Sequence, residues 1–395
     1  MNPFPRIPGQ RLLHSPGPTR LPDEVLHALS RQPMDLADSR LDRIIAACED
    51  GLKRLLNAPQ AEVLMYIANG HGAWEAAVVN LLAPGRIALI PGTGHFSESW
   101  ALQTEALGGQ VIRTPWVEGQ PIDVAAVAQA LRDDRERRIA AVFCVHTDTA
   151  SGVTSDLQAL RAALDDSGHP ALFVVDVVAS LGVVPFDMQA LRADVVIGAS
   201  QKGLMLPPGL GFVAVNAAAV EVARANPAPR FYWDWGRRID ALSYRKFCGT
   251  PPMNLLYGLQ AALGLLFAEG LDAVFARHLR LAGAVQAAVQ GWSEGGAIGF
   301  FCQPPACRSH SVTAVTLRGF EPEAVRRTAR ERFQVSLSGG LGPLAGRVFR
   351  IGHMGDLNAG MVLGALAGVE AALQVHGVPI GHGGVQRAIA HLAAD

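Results

Sequence analysis

The chain has 395 residues, of which 49% are hydrophobic and 17% charged, and its 34 Lys and Arg residues nearly balance its 35 Asp and Glu residues. This length exceeds what one hydrophobic core organises, and the composition excludes long disorder, so we expect two globular domains. The balanced charge, without a basic stripe interleaved with aromatic residues, argues against nucleic acid as a partner and favours a small-molecule ligand.

The five cysteines are odd in number and scattered without CxxC spacing. This pattern argues against a disulfide framework or a zinc knuckle and predicts a reducing, cytoplasmic location. The amino terminus carries Pro3, Pro5 and Pro8 where a signal peptide needs an apolar core, and no uncharged apolar stretch is long enough to span a bilayer. We therefore expect no membrane association. The twelve histidines show no helical pair with a nearby acid, so we also expect no metal.

A Pro- and Gly-rich arm, residues 1–20, precedes the first predicted helix at about Asp23–Ser30. From there to about residue 215, helical patterns alternate with short apolar runs, which are Val63–Ile67, Ile87–Ile90, Ile139–Val145, Leu172–Val175, Asp194–Ile197 and Phe212–Val215. Such alternation is typical of an α/β fold in which helices wrap a mostly parallel sheet.

The order of helical patterns and apolar runs changes after Tyr257. A long Ala- and Leu-rich helix, Leu259–Glu269, is followed by two more apolar runs, Val312–Leu317 and Val348–Ile351, with an amphipathic helix near Glu323–Phe333 between them. We therefore expect a large domain over residues 21–257 and a smaller α+β domain over residues 258–395.

Two residues that follow apolar runs are the main candidates for reactive groups. Asp176 ends the run Leu172–Val175, and Lys202 follows the run Asp194–Ile197 within Ser200-Gln201-Lys202-Gly203. Because parallel strands deliver their carboxyl ends to one edge of a sheet, the acid and the amine can meet at one ligand. Pyridoxal phosphate needs both, an amine for its aldehyde and a carboxylate for its pyridine nitrogen. The alternative is that Asp176 caps the next segment and Lys202 is a solvated loop lysine.

Three further segments fit the same ligand. The turn Asn69-Gly70-His71-Gly72 follows one predicted strand and precedes a helix expected near Trp74, an arrangement that exposes backbone N–H groups to a phosphate. Thr149 follows another strand and is placed to contact the ring hydroxyl, and Phe96 can stack on the ring. Each also has an ordinary structural use, as a connection, a turn residue and a core aromatic respectively.

Taken together, these motifs resemble the class V, fold-type I aminotransferases that use pyridoxal phosphate, and most closely the alanine–glyoxylate and serine–pyruvate aminotransferases. The resemblance covers nearly the whole chain. It is carried by the following segments: Pro16-Gly17-Pro18-Thr19, Gly70-His71 with Glu75-Ala76-Ala77, Asp176-Val177-Val178-Ala179-Ser180, Ser200-Gln201-Lys202, Thr250-Pro251-Pro252, Gly339-Gly340-Leu341-Gly342-Pro343 and Arg350-Ile351-Gly352.

The resemblance implies a role for each matching residue. Lys202 becomes the catalytic Schiff-base lysine, Asp176 the partner of the pyridine nitrogen and Arg350 the clamp for the substrate carboxylate. The remaining cofactor contacts are those with the phosphate, the ring and its hydroxyl, and they involve Gly70, His71, Phe96, Thr149, Val178 and Gln201. Thr250 is expected to reach the phosphate of the other subunit's cofactor, which implies a homodimer with shared active sites.

The expected reaction moves an amino group from a small amino acid, alanine or serine, to a 2-oxo acid, glyoxylate or pyruvate. Two departures from the family pattern bear on this. Phe247 stands three residues before Thr250, where the family commonly has a Tyr that donates to the partner phosphate, and Asn69 replaces a small residue and is expected to face the substrate.

Other functions remain open at this stage. The segments His146–Thr149 and Arg350–Gly355 also resemble pyridoxamine–pyruvate aminotransferase, although Leu341 stands near where that enzyme carries a second arginine. A lyase of the same fold shares the cofactor geometry, and a cysteine desulfurase would carry His where Gln201 stands and an activated Cys. A non-enzymatic regulator would need an added sensor or DNA-binding domain, for which this length leaves no room.

Overall fold

The computed structural model describes residues 8–394. The first seven residues of the predicted arm, which include Pro3 and Pro5, lie outside the described residues, and so does Asp395. The strands, in chain order, are β1 (Leu12–His14), β2 (Glu62–Ala68), β3 (Ile87–Ile90), β4 (Gln110–Arg113), β5 (Ile139–Val145), β6 (Thr147–Asp148), β7 (Val153–Thr154), β8 (Leu172–Asp176), β9 (Val195–Ala199), β10 (Gly209–Val215), β11 (Ile298–Phe300), β12 (Val312–Leu317), β13 (Val335–Gly339) and β14 (Val348–Gly352).

The α-helices are α1 (Asp23–Leu29), α2 (Ser39–Leu55), α3 (Gly70–Leu81), α4 (His95–Ala106), α5 (Val124–Asp133), α6 (Leu157–Ser167), α7 (Met188–Leu191), α8 (Ala217–Ala225), α9 (Trp235–Ile239), α10 (Met253–Glu269), α11 (Leu271–Ser293), α12 (Pro322–Arg332), α13 (Ala359–Val375) and α14 (Gly384–Ala393). Short 3₁₀ turns occur at Ser243–Phe247, Pro305–Cys307 and Gly342–Leu344.

The large sheet has seven strands in the order β2-β10-β9-β8-β5-β3-β4. All neighbouring pairs are parallel except those that β10 makes with β2 and β9. Every residue of β5 and β8 is buried, since helices cover both faces of the sheet. The α/β fold with a mostly parallel sheet, expected from the alternating pattern, is therefore confirmed.

The second sheet is smaller, with the order β1-β13-β14-β12-β11. Helices α11, α13 and α14 pack on it around a core of their own. Strand β1, from the amino-terminal arm, pairs in parallel with β13 near the other end of the chain. The smaller α+β part of the fold is thus present, and the arm forms one of its edges.

Two helices begin earlier than the sequence predicted. Helix α3 begins at Gly70 and not near Trp74, because the Asn69 side chain caps it by accepting a hydrogen bond from the Gly72 N–H at 3.3 Å. Helix α10 begins at Met253 and not at Leu259, so the predicted boundary between residues 257 and 258 lies within it. The division of the chain into domains at that boundary stays a prediction.

Strands β1, β4, β6, β7, β11 and β13 were not predicted. Each is short or lies at or beside a sheet edge, so its apolar alternation is too brief to stand out in the sequence. Across residues 8–394, no single helix is long and apolar enough to cross a membrane; α10 and α11 satisfy length and composition only as a pair bent by 86°.

Candidate active site

A cavity of about 290 Å³ lies at the carboxyl ends of β5 and β8. Open α/β sheets bind ligands at this edge. The cavity is lined by Gly17, Pro18, Asn69, Gly70, His71, Trp74, Phe96, Val145, Thr147, Thr149, Asp176, Val178, Ala179, Gln201, Lys202 and Pro208. The structure therefore brings together nine of the predicted site residues, from segments as far apart as Asn69 and Lys202.

Asp176 is the last residue of β8 and is buried. Its Oδ1 accepts the Val178 N–H at 2.6 Å and its Oδ2 accepts the indole N–H of Trp74 at 2.9 Å. Burial raises the pKa of Asp176 to about 7, against the lowering effect of these two donors and of Lys202. The carboxyl group is thus held in one orientation and titrates near neutral pH.

Lys202 follows β9 by three residues, and its Nζ donates to the Pro16 carbonyl of the amino-terminal arm. Burial and the nearby Arg350 lower the pKa of Lys202 to about 8, while Asp176 and Asp148 oppose that shift. An amine with a lowered pKa is a better nucleophile and base at neutral pH, because more of it is uncharged.

Arg350 is buried in the middle of β14. Its Nε donates to the Gly339 carbonyl at 2.7 Å and its Nη1 to the Thr149 carbonyl at 2.8 Å. These two bonds leave three of the five guanidinium N–H groups for a ligand. Burial lowers the pKa of Arg350 to about 10, which still leaves it charged at neutral pH. The guanidinium is therefore anchored beside Thr149, at the rim of the cavity.

The amino terminus of α3 forms one wall of the cavity through Gly70 and His71. The first N–H groups of a helix have no partner within the helix, and its dipole favours an anion there. A Cβ on Gly70 would lie 3.3 Å from a Val178 methyl, so a larger residue there would have to push the Val178 side chain aside by a few tenths of an ångström. Opposite, the Gln201 side-chain oxygen is buried without a hydrogen-bond partner among the described residues.

The other predicted contacts have mixed surroundings. Thr149 is buried at the cavity, Phe96 and Val178 are half-buried beside it, and Asn69 is exposed at its mouth while also capping α3. Thr250 does not line the cavity of its own chain and is exposed. Its predicted contact with another subunit's cofactor stays a prediction.

Sequence reasoning missed three neighbours of the site. The arm residue Gly17, at φ +108°, packs so tightly on Lys202 that any Cβ there would collide with the lysine side chain. Asp148 is buried; its carboxylate accepts N–H groups from Phe96 and Ala150, and burial raises its pKa. Trp74 donates its indole N–H to Asp176. It lies one helical turn after Gly70, so Gly70 and Trp74 are on the same face of α3.

A family profile described as Aminotransferase class-V matches residues 11–346. The chain belongs to the class V aminotransferases. It is 37% identical to serine–glyoxylate aminotransferase of Methylorubrum extorquens, with 98% of this chain and 97% of the relative aligned. It is also 36% identical to L-aspartate–glyoxylate aminotransferase of Paracoccus denitrificans, over 94% of this chain and 93% of that relative.

Solved structures agree with the family. The chain superposes on ureidoglycine–glyoxylate aminotransferase from Bacillus subtilis with a TM-score of 0.90, at 26% identity, covering 98% of this chain and 100% of that one. Pyridoxamine–pyruvate aminotransferase from Mesorhizobium loti gives a TM-score of 0.87 at 26% identity, with 98% of each chain covered. The fold-type I architecture expected from the sequence is therefore confirmed.

The site of this class V aminotransferase fits the cofactor that the family implies. An anion fits the first N–H groups of α3 together with the Gln201 carboxamide, whose oxygen has no hydrogen-bond partner within residues 8–394 and can exchange places with its nitrogen by a flip. A protonated ring nitrogen fits the buried Asp176, and an aldehyde fits Lys202. The chain thus offers a donor or acceptor for each polar end of pyridoxal phosphate.

Proposed function

We propose that this class V aminotransferase binds pyridoxal phosphate through Lys202 and moves the amino group of alanine or serine to glyoxylate or pyruvate. The observation that carries the proposal is that Lys202 and Asp176 line one small cavity, while Arg350 of β14 is anchored to the cavity residue Thr149. The relatives named for glyoxylate as acceptor support the choice of a small 2-oxo acid.

Pyridoxal phosphate supplies an aldehyde that joins an amine covalently and a ring that draws electrons from the substrate's α-carbon. Lys202 would hold the cofactor until the substrate's amine takes its place, and its freed Nζ would then take and return a proton at that carbon. The pKa of about 8 suits this exchange, because the amine is neither fully charged nor strongly basic at physiological pH. Asp176, in its ionised form, keeps the ring nitrogen protonated.

Arg350 orients the substrate. Its three free N–H groups hold the α-carboxylate in a two-point fork, which fixes the direction of the bonds at the α-carbon. The backbone carbonyls of Gly339 and Thr149 keep the guanidinium from rotating away. The remaining contacts that we assign are Gly70, His71 and Gln201 to the phosphate, Phe96 and Val178 to the faces of the ring, and Thr149 to its hydroxyl.

The size of the cavity bears on the size of the substrate. A cavity of about 290 Å³ is small for a site that takes both a cofactor and an amino acid, which supports a donor with a short side chain. Asn69, at the mouth, offers its amide nitrogen to a polar substituent, because its oxygen is engaged with the Gly72 N–H. This favours serine or alanine over a long donor.

A donor–acceptor screen tests the proposal. Purified enzyme is incubated with alanine, serine, glycine, aspartate or pyridoxamine as donor and with glyoxylate or pyruvate as acceptor, and both products are quantified. We expect serine or alanine with glyoxylate to give the highest kcat/KM. Turnover with pyridoxamine and pyruvate alone would replace the proposal by the pyridoxamine–pyruvate reaction, which the structural similarity to that enzyme keeps as the second candidate.

We also propose a cytoplasmic homodimer. Thr250 is exposed, whereas Phe247, three residues earlier, is buried. The exposure of Thr250 supports the dimer, because its side chain is accessible to a second subunit's cofactor. Phe247 has no hydroxyl, so the phosphate contact of the family's Tyr is either missing or supplied by another group. All five cysteines are free, which supports a reducing compartment.

A further inference from the structure

Both oxygens of the Asp176 carboxyl group receive a hydrogen bond from the protein. One donor is the backbone N–H of Val178 two residues away, which any residue except proline would supply at that position. The other is the indole N–H of Trp74, a side-chain donor 102 residues distant along the chain. The second bond is therefore the one that depends on a particular side chain.

The Trp74 indole is itself held rigidly. It stacks on Trp100 of α4, with ring centroids 5.0 Å apart and planes 10° from parallel, and the His71 ring packs on it at 4.5 Å. Both indoles are buried. A buried side chain in contact with two aromatic rings directs its N–H with little freedom. A hydrogen bond to an ionised acceptor is also among the stronger ones.

Trp100 provides a natural comparison within the same stack. Its indole nitrogen is buried and has no hydrogen-bond partner in the part of the chain that the structure describes. The two tryptophans share burial and stacking, and they differ in that only Trp74 donates to a carboxylate. Packing alone therefore does not account for the Trp74 contact.

We infer that Trp74 is a positioning residue that directs the Asp176 carboxylate into the cavity and keeps it ionised there. This role rests on the proposed function in that the ionised carboxylate serves the cofactor's ring nitrogen. Burial by itself disfavours the charge on Asp176, and the Trp74 donor, with the Val178 N–H, opposes that effect. Loss of the indole N–H then raises the pKa of Asp176 and leaves less of the charged form.

The first test needs no cofactor. The enzyme is labelled with fluorotryptophan, the Trp74 signal among the six is assigned with Trp74→Phe, and its fluorine shift is followed against pH in the apoenzyme. The titratable groups near the pair are His71, whose ring packs on the indole, and Lys202 and Asp148, whose charges act on Asp176. Titrations are therefore repeated in His71→Asn and Lys202→Ala. We expect a midpoint near 7 that disappears in Asp176→Asn; a signal that titrates unchanged in Asp176→Asn overturns the inference.

The second test measures pyridoxal phosphate binding. Trp74→Phe keeps an aromatic ring in the stack but lacks the N–H. Below pH 7, we expect its dissociation constant for pyridoxal phosphate to be about tenfold higher than that of Trp100→Phe. This difference in affinity should shrink as the pH rises, because Asp176 then ionises in both variants. Equal affinities and pH profiles for the two variants refute the inference. If Trp74→Phe does not fold, the Trp74 signal is assigned by elimination with Phe variants of the other five of the six tryptophans, and the fluorine titration of the wild type still decides. Failure of the wild type to bind the cofactor would instead refute the proposed function, and the apoenzyme titration would remain valid.

Discussion

Replacing Arg350 by lysine tests the substrate clamp most directly. Lysine keeps the positive charge but has no planar fork, so the α-carboxylate loses one of two charge-assisted hydrogen bonds. Such a bond contributes about 1.5–3 kcal/mol. At 1.36 kcal/mol per factor of ten, kcat/KM should fall about 10- to 150-fold. The loss should be similar for every amino and oxo acid, because the clamp contacts the end that all of them share.

The same replacement also has a cost in stability. Arg350 satisfies the carbonyls of Gly339 and Thr149, and a single lysine amine on a flexible stem cannot hold both in the present geometry. Leaving one buried carbonyl without a donor costs about 1–3 kcal/mol in the free energy of unfolding. Urea unfolding therefore accompanies the kinetics, so that a folding defect is not mistaken for a binding defect.

A matched control lies three residues earlier in the chain. Arg347 is exposed and pairs with Glu118 at 2.7 Å, so Arg347→Lys should leave kcat/KM unchanged. Each half-reaction is followed by stopped-flow absorbance of the cofactor, whose spectrum should be the same in both variants and the wild type. Unaltered oxo acid kinetics in Arg350→Lys would refute the clamp. Loss of the pyruvate half-reaction with an intact pyridoxamine half-reaction would identify the second candidate function.

Three further predictions concern the lysine, the assembly and the acid stability. Lys202→Ala should abolish turnover and change the absorbance of bound cofactor in kind, and an unchanged spectrum would disprove its role. Sedimentation should give a dimer that pyridoxal phosphate stabilises, with Thr250→Ala weakening that linkage; a fully active monomer would contradict it. His278, whose Nε2 accepts the Gly355 N–H, has a pKa lowered to about 4 by burial, so the unfolded chain alone takes up its proton below pH 6.5. Between pH 7 and pH 5 the free energy of unfolding of the wild type should therefore fall by about 2 kcal/mol more than that of His278→Gln. Equal decreases in the two proteins, measured by urea unfolding at each pH, would argue against this.

Much of this protein was determined by short stretches of sequence. The alternation of apolar runs and helical patterns predicted the parallel sheet, because each period reports one local backbone conformation. Parallel strands end at the same sheet edge, so the positions of Asp176 and Lys202 after two such runs already implied that they meet. The glycine turn before α3 was visible for the same reason, although its capping by Asn69 moved the helix start by about one turn.

Only the tertiary structure revealed what surrounds these residues. The arm strand β1 pairs with β13 more than 300 residues later, and that pairing lays Pro16 and Gly17 on Lys202. Trp74 reaches Asp176 across 102 residues, and Arg350 reaches Thr149 across 201. Such contacts leave no periodic trace in the sequence, because they depend on how whole elements pack and not on the conformation of either segment alone. The identity of the reactive residues could therefore be predicted from local sequence. Their orientation and pKa values depend on the packing of elements that are distant in the chain.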